Sequence, residues 1–182
     1  MRITGGSLLG RQIKVPEGII RPAMDRMRES VFAAMGDLSG HSFLDIFSGS
    51  GIIALEAASR GAVYIEAVEM DPLKRKTILS NVSISPVRIN CRFMSAELYV
   101  KRSKRPFDFI FCDPPFPYRH KWELMDAISS SSLINEDTLL LLHHPREDFP
   151  ANLPEKLVLS QSREYGRSIV SFFRSGTTRN QQ

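Results

Sequence analysis

Apolar positions along the chain recur with two periods that alternate in blocks. Asp25 to Met35 places Met27, Val31, Phe32 and Met35 at helical spacing, so this segment is predicted to be a helix. Short apolar runs at 43–47, 63–69, 87–93, 107–112 and 138–143 read as strands. Between them the pattern returns to that of helices, from about Gly51 to Arg60, from about Pro72 to Asn81, near 95–101 and near 120–130. Strands separated by helices predict a parallel sheet with right-handed crossovers. The end of the pattern differs, because LVLSQSREYG and SIVSFFR flank Gly166 with no helix between them. That arrangement predicts an antiparallel hairpin. At the other end, residues 2–4 and 11–15, joined across Gly5-Gly6 and Gly10, read as a short basic hairpin within a 1–24 extension. The expected fold class is therefore α/β: a mostly parallel seven-stranded sheet with a C-terminal antiparallel hairpin and a small N-terminal β-hairpin. The 182 residues fit one domain, with 175–182 as a frayed tail.

Composition changes this picture little. A hydrophobic content of 42% and a charged content of 24% are those of an ordinary globular chain. No apolar run approaches the roughly 20 residues of a membrane span, and MRITGGSLLGRQIKVP has no apolar stretch of the signal-peptide kind. Cys91 and Cys112 sit in apolar stretches without a CxxC or a nearby His pair, as expected of buried thiols in a reducing compartment. A cytoplasmic location without a membrane partner is expected.

Charge is more informative. The net charge is +4 with a pI near 9.3, compatible with a polyanionic partner. In the first thirty residues Arg2, Arg11, Lys14, Arg21, Arg26 and Arg28 outnumber Glu17, Asp25 and Glu29. A second cluster, Lys101 to Arg105, has the ordinary reading of a solvated face. A third, Arg119-His120-Lys121, stands just beyond the residues that carry candidate chemistry.

Those residues lie where an open parallel sheet binds ligands, at the carboxyl ends of its strands. FDFIFCDPPF is a buried-strand pattern that ends in Asp113-Pro114-Pro115-Phe116. The two prolines fix two φ angles and remove two donors, so the chain beyond Asp113 is stiff and leaves the ladder. The Asp113 carboxylate and the Pro114 carbonyl are two acceptors suited to an exocyclic NH2, and Phe116 offers a stacking face. Taken alone, this is equally a Pro-rich turn. FLDIF ends in Ser48-Gly49-Ser50-Gly51, where two glycines permit a sharp turn and close approach of a ligand. Asp45 is too polar for a casual core position. Glu69 ends the next strand, VEMD, eighteen residues after Gly51, the distance at which an acidic side chain meets ribose hydroxyls. GSGIIA also fits a dinucleotide fingerprint, so an NAD-dependent dehydrogenase is the competing reading. The DPPF at the end of strand four, the acidic Asp45 and the terminal hairpin all argue against it. S-adenosylmethionine suits all three, with Asp45 toward its charged end, Glu69 at its ribose and Gly49 and Gly51 at its middle.

FLDIFSGSGIIALEAASRGA, AVEMD and FDFIFCDPPF, in this order, resemble a Rossmann-like class I methyltransferase acting on an exocyclic amine. MRITGGSLLGRQIKVP, RPAMDRMRESVF and REYGRSIVSFF extend the resemblance along nearly the whole chain to the RsmD family of bacterial 16S rRNA guanine-N2 methyltransferases. The resemblance implies S-adenosylmethionine as cofactor, no metal, and 16S rRNA as partner, free or within a small-subunit assembly particle, for a monomeric enzyme. It implies cofactor contacts at Asp45, Phe47, Gly49, Ser50, Gly51, Glu69, Met70, Ser95, Ala96 and Asp113. It places the reaction at Asp113, Pro114, Pro115 and Phe116, and RNA contacts at Arg2, Arg11, Arg21, Arg26, Arg28, Arg119 and Lys121. The chain departs from the family at Ala23, where a Thr usually follows Arg-Pro, at Ser95-Ala96, which replaces an acidic or Asn residue plus Ala, and at His143, where a Glu is common. His143-His144 reads as structural, since no further metal ligand lies nearby in sequence. The alternatives are an amino-methyltransferase acting on adenine N6 or cytosine N4 of DNA or another RNA, and an RNA-binding protein without activity.

Overall fold

A computed structural model describes residues 1–15 and 23–176. The strands are β1 (Ser42–Ile46), β2 (Tyr64–Val68), β3 (Ile89–Arg92), β4 (Phe109–Cys112), β5 (Leu139–Pro145), β6 (Leu157–Tyr165) and β7 (Ser168–Ser175). They form one sheet in the order β3-β2-β1-β4-β5-β7-β6. The first five are mutually parallel, and β7 is antiparallel to both β5 and β6. The helices are α1 (Ala23–Met35), α2 (Ile52–Ser59), α3 (Arg75–Val82), α4 (Ala96–Arg102) and α5 (Lys121–Ser129). An all-parallel dinucleotide-binding sheet has no counterpart to β7, which runs antiparallel between β5 and β6.

Side-chain alternation along the strands builds two cores. Phe43, Phe109, Phe111, Leu139 and Leu141 face the layer holding α1, α2 and α3. Leu44, Ile46, Ile110, Cys112, Leu140 and Leu142 face α4 and α5. The predicted α1 positions Met27, Val31, Phe32 and Met35 are all buried, and Phe32 stacks on Phe43 with ring centroids 5.9 Å apart. The crossover helices change face between β1 and β4, and at this reversal the carboxyl ends of the strands diverge into a cleft. The outer strand β6 is mostly exposed and carries Arg163 and Glu164, as suits a sheet edge. Among the described residues no helix is long and apolar enough to cross a membrane.

Three expectations are revised here. The N-terminal segment folds back on itself through a single bridge, Arg2 to Gln12, with a 3₁₀ turn at Gly6–Leu8 in place of two strands. Hairpin pairing persists around that bridge, with Ile3 N–H on the Arg11 carbonyl and Ile13 N–H on the Met1 carbonyl, while other donors reach α2: Thr4 N–H and Oγ1–H both meet Glu56 Oε1, and Leu8 N–H meets Ser59 Oγ. Ser175 belongs to β7, paired with Leu157, while 177–182 lie outside the described residues. Arg28, expected to face RNA, is fully buried. Helical spacing sets it one turn before Phe32, on the inward face. Its Nε donates to Glu56 Oε1 at 3.1 Å, and its Nη2 donates to Asp25 Oδ1 and to the Arg2 carbonyl, each at 2.7 Å. Arg60 also pairs with Glu56.

Glu56 is thus the shared anion of two guanidiniums and the N-terminal backbone. Glu56→Ala leaves Arg28 buried with Asp25 as its remaining anion and removes the partner of Arg60 and Thr4 as well, and should lower stability by about 3 kcal/mol. Chemical denaturation reads this as a lower midpoint, and a variant within error of wild type would show that the pair contributes nothing.

Candidate active site

At the carboxyl ends of β1, β2 and β4 lies a cavity of about 850 Å³, bordered by Phe47, Glu69, Met70, Lys74, Asp113, Pro114, Phe116 and His143 among others. The turn after β1 shapes one wall. Phe47 adopts φ 66°, the one non-glycine left-handed residue among those described. A conformation that costs on the order of 1–3 kcal/mol persists where surrounding contacts impose it. Here its ring packs on Tyr118 at 5.2 Å, and Ser48 N–H bonds the Val68 carbonyl. Gly49 follows with φ 59°, and the place of an absent Cβ is open, with only the Phe47 carbonyl oxygen within 4 Å at 3.9 Å. Ser50 is buried and gives its carbonyl to Asn81 Nδ2–H. Gly51, at φ 82°, begins α2, and a Cβ there would press on Ile78 and Val82 at 3.1 and 3.2 Å.

Glu69 closes the turn. Its Oε2 accepts from Gly49 N–H and its Oε1 from Asp71 N–H, each at 2.8 Å, with Lys74 Nζ 3.5 Å away. A carboxylate has about four lone-pair sites, so acceptor capacity remains toward the cavity. Asp45 lies behind the turn, fully buried, where Oδ2 accepts from Ser48 Oγ at 2.6 Å and from Ala54 N–H at 3.2 Å. It thereby caps α2, whose N-cap residue, Gly51, has no side chain to do so. Its Oδ1 has no hydrogen-bond partner among the described residues. Burial, followed by the nearby charge of Asp113, pushes this carboxyl up to about 7.

The Asp-Pro-Pro-Phe loop forms the opposite wall. Asp113 N–H still bonds the Ile46 carbonyl, and Tyr118 N–H closes a turn on the Pro115 carbonyl at 2.8 Å. The prolines rule out further laddering, and no hydrogen bond engages the Pro114 carbonyl among the described residues. Asp113 Oδ1 is held by His143 Nδ1 at 2.7 Å. The Phe116 and His143 rings meet in a T-shaped pair with centroids 5.5 Å apart.

Several expected residues stand elsewhere. Ser95 caps α4 by accepting from Leu98 N–H, and Ala96 is buried; neither lines the cavity, where Glu97 does. Lys121 is buried rather than presented to RNA, bonded to Asp148 and to the Phe116 carbonyl at 3.4 Å. Its place at the start of α5 points it under the loop. Arg119 is exposed and borders a smaller cavity of about 370 Å³ beside Phe116 and Trp122. Arg2, Arg11 and Arg26 are exposed, and Arg21 lies outside the described residues. His143, read from sequence as structural, is at the centre of the site. Tyr118, whose hydroxyl donates to Glu97, was also overlooked, although an aromatic two residues past Phe116 was a usable signal. Among the described residues no group of three or more His, Cys, Asp or Glu is placed to hold a metal ion.

The reversed strand order, the turn after β1, the acid at the end of β2 and the DPPF loop after β4 define a class I methyltransferase fold. The chain matches, over residues 1–174, the family described as conserved hypothetical protein 95, and it belongs to that family, the RsmD methyltransferases. Its relatives include YlbH of Bacillus subtilis, 30% identical over 96% of this chain and 98% of that one. Ribosomal RNA small subunit methyltransferase D of Escherichia coli is 26% identical over 92% of this chain and 86% of its own length. The solved structure of yhhF from Escherichia coli superposes with a TM-score of 0.87 at 25% identity, covering 96% and 97% of the two chains.

Asp45 supplies a test of the electrostatics. The folded protein retains its proton up to about 7, whereas an ordinary Asp releases it near 3.8. Its stabilising contribution is therefore present at acid pH and is lost as pH rises through that window. Asp45→Asn cannot titrate, so its stability, measured by denaturation from about pH 4 to 8, should fall less with rising pH than that of wild type. Parallel curves would mean that Asp45 is ionised throughout.

Proposed function

We propose that this protein transfers a methyl group from S-adenosylmethionine to the exocyclic N2 of a guanine in small-subunit rRNA. The observation that carries the reading is the pair of acceptors, Asp113 Oδ2 and the Pro114 carbonyl, without hydrogen-bond partners among the described residues, on residues that line the same cavity as Phe116 and Glu69. The small-subunit rRNA substrate is supported by the name of the Escherichia coli relative.

The residues present fit the donor. Open space beside Gly49, an unpartnered buried oxygen on Asp45, and the carboxylates of Glu69 and Asp113 suit a cationic ligand that bears a ribose. Phe47, Gly49, Glu69 and Met70 would hold it, the spare lone pairs of Glu69 accepting from ribose hydroxyls. When bound, S-adenosylmethionine supplies an electrophilic methyl group on a sulfonium. Two acceptors on an exocyclic NH2 draw its N–H bonds into the plane they define and aim the nitrogen lone pair, which ring conjugation otherwise weakens as a nucleophile. Such positioning lowers the barrier by removing orientational freedom before reaction. Phe116 stacks on a base drawn out of its own stack, and Asp113 is placed to accept the proton the amine loses. Arg119, exposed beyond Phe116, is placed to meet a phosphate of the flanking RNA.

Methyl transfer to 16S rRNA, followed by mapping of the modified nucleotide, tests this directly. Asp113→Ala should nearly abolish transfer with cofactor affinity close to wild type. Asp113→Asn should retain more activity, because its amide oxygen still accepts one N–H bond. Phe116→Ala should cost about 1–3 kcal/mol through lost stacking. A near-normal rate in Asp113→Ala would remove the carboxylate from the reaction, and methyl groups on adenine N6 or cytosine N4 would reassign the substrate.

Arg119→Glu should weaken RNA binding and flatten its dependence on salt, since fewer counterions are released. If affinity and slope are both unchanged in filter binding, Arg119 is only a solvated charge.

A further inference from the structure

Asp113 is held in place from behind by a hydrogen-bonded pair that the reaction itself does not require. His143, on β5, faces Asp113 Oδ1 with Nδ1 at 2.7 Å and Ser168 Oγ, on β7, with Nε2 at 2.8 Å. Ser168 Oγ also lies 3.2 Å from the Tyr165 carbonyl. The ring is buried, and the Phe116 ring packs edge-to-face with it, centroids 5.5 Å apart. An ionised carboxylate only accepts hydrogen bonds, so the Nδ1 contact requires a proton on Nδ1. Ser168 is then the tolerant partner. Its hydroxyl donates to a bare Nε2, or accepts from Nε2–H while giving its own proton to the Tyr165 carbonyl. Either way, Nδ1–H stays on Asp113.

We infer that His143 is a positioning residue: its Nδ1–H takes up Oδ1 of Asp113, which leaves Oδ2 as the one carboxylate oxygen turned to the target amine. The inference deepens the proposed reaction and rests on it. One oxygen is committed to His143, so the carboxylate cannot rotate freely or turn both oxygens away from the cavity. The geometry that orients the amine is thereby set before any substrate arrives. A lone carboxylate on a Pro-Pro turn would have no such restraint. β5 and β7, which bring His143 and Ser168 together, therefore act on the chemistry without touching the substrate.

Two substitutions separate positioning from packing. The amide nitrogen of an asparagine superposes on Nδ1, whereas that of a glutamine reaches the place of Nε2. His143→Asn therefore keeps the donor to Asp113, and His143→Gln keeps only the bond to Ser168, although it preserves more volume. His143→Ala and His143→Gln should each lower kcat about tenfold to a hundredfold, and His143→Asn should stay within about threefold of wild type. S-adenosylmethionine affinity by calorimetry should be unchanged in all three. A second readout needs no cofactor. The protein has four histidines, so nitrogen-15 NMR of the imidazoles should find the His143 signal in a form protonated at Nδ1, and Asp113→Ala should abolish that preference. Glutamine equal to or better than asparagine, or a ring unprotonated at Nδ1, would overturn the inference. Absence of methyl transfer by the wild-type protein would instead fault the proposed function, and the NMR result would still decide the placement of the proton.

Discussion

Three carboxylates stand at or near the ends of adjacent strands, Glu69 and Asp113 lining one cavity and Asp45 buried behind it, and most of the local structure answers to the need to keep them apart and satisfied. Burial, with the nearby charges of Asp113 after β4 and then Glu69 after β2 adding to it, drives Asp45 in β1 toward its neutral form. Each carboxylate is given its own donors: Ser48 and the start of α2 for Asp45, the backbone of Gly49 and Asp71 for Glu69, and His143 for Asp113. Lys74, near Glu69, is the one lysine or arginine among the described residues that line the cavity. A cavity so poor in cations favours a positively charged ligand on Coulombic grounds alone, and the low dielectric beneath it enlarges that preference.

The same carboxylates explain the odd geometry of the turn after β1. Glu69 draws Gly49 N–H toward the end of β2, which the chain reaches only by passing Phe47 through a left-handed conformation. Phe47 accepts that strain because Tyr118 covers its ring, and Tyr118 is in turn fixed by the Pro115 carbonyl and by Glu97. The two walls of the cavity therefore brace each other. Nothing in this brace depends on long-range motion, which fits a site that acts by holding acceptors in place.

What could be read from the sequence was whatever repeats or sits next to itself. The alternation of strands and helices showed in hydrophobic spacing, and the paired glycines, the DPPF and the acid at the end of the second strand showed as motifs at the strand ends. Side chains whose role depends on a partner far along the chain were hidden. Arg28 looked like one more member of a basic segment, yet Glu56 lies twenty-eight residues away and makes it an interior group. Lys121 was read with its neighbour Arg119, but the start of α5 turns the one inward onto Asp148 and leaves the other outside. His143 looked structural because its partners, Asp113 and Ser168, are thirty and twenty-five residues distant. A charge run or a His pair gives no sign of which side of a helix or strand will be covered.

Burial of Lys121 bears on function even though it removes a phosphate contact. The ammonium reaches under the loop to the Phe116 carbonyl while Asp148 balances its charge, and Trp122 Nε1 donates to the Asp148 carbonyl at 2.7 Å. The loop that offers Asp113, Pro114 and Phe116 is thus stiffened in three independent ways: by two fixed proline φ angles, by the Tyr118 turn, and by a buried cation beneath its far end. A weak nucleophile gains most from acceptors that need no rearrangement when it arrives, because any reorganisation at that moment adds to the barrier. On this argument the interior cations Arg28 and Lys121 act as anchors at opposite sides of the fold, the first for the N-terminal basic segment and the second for the Asp-Pro-Pro-Phe loop.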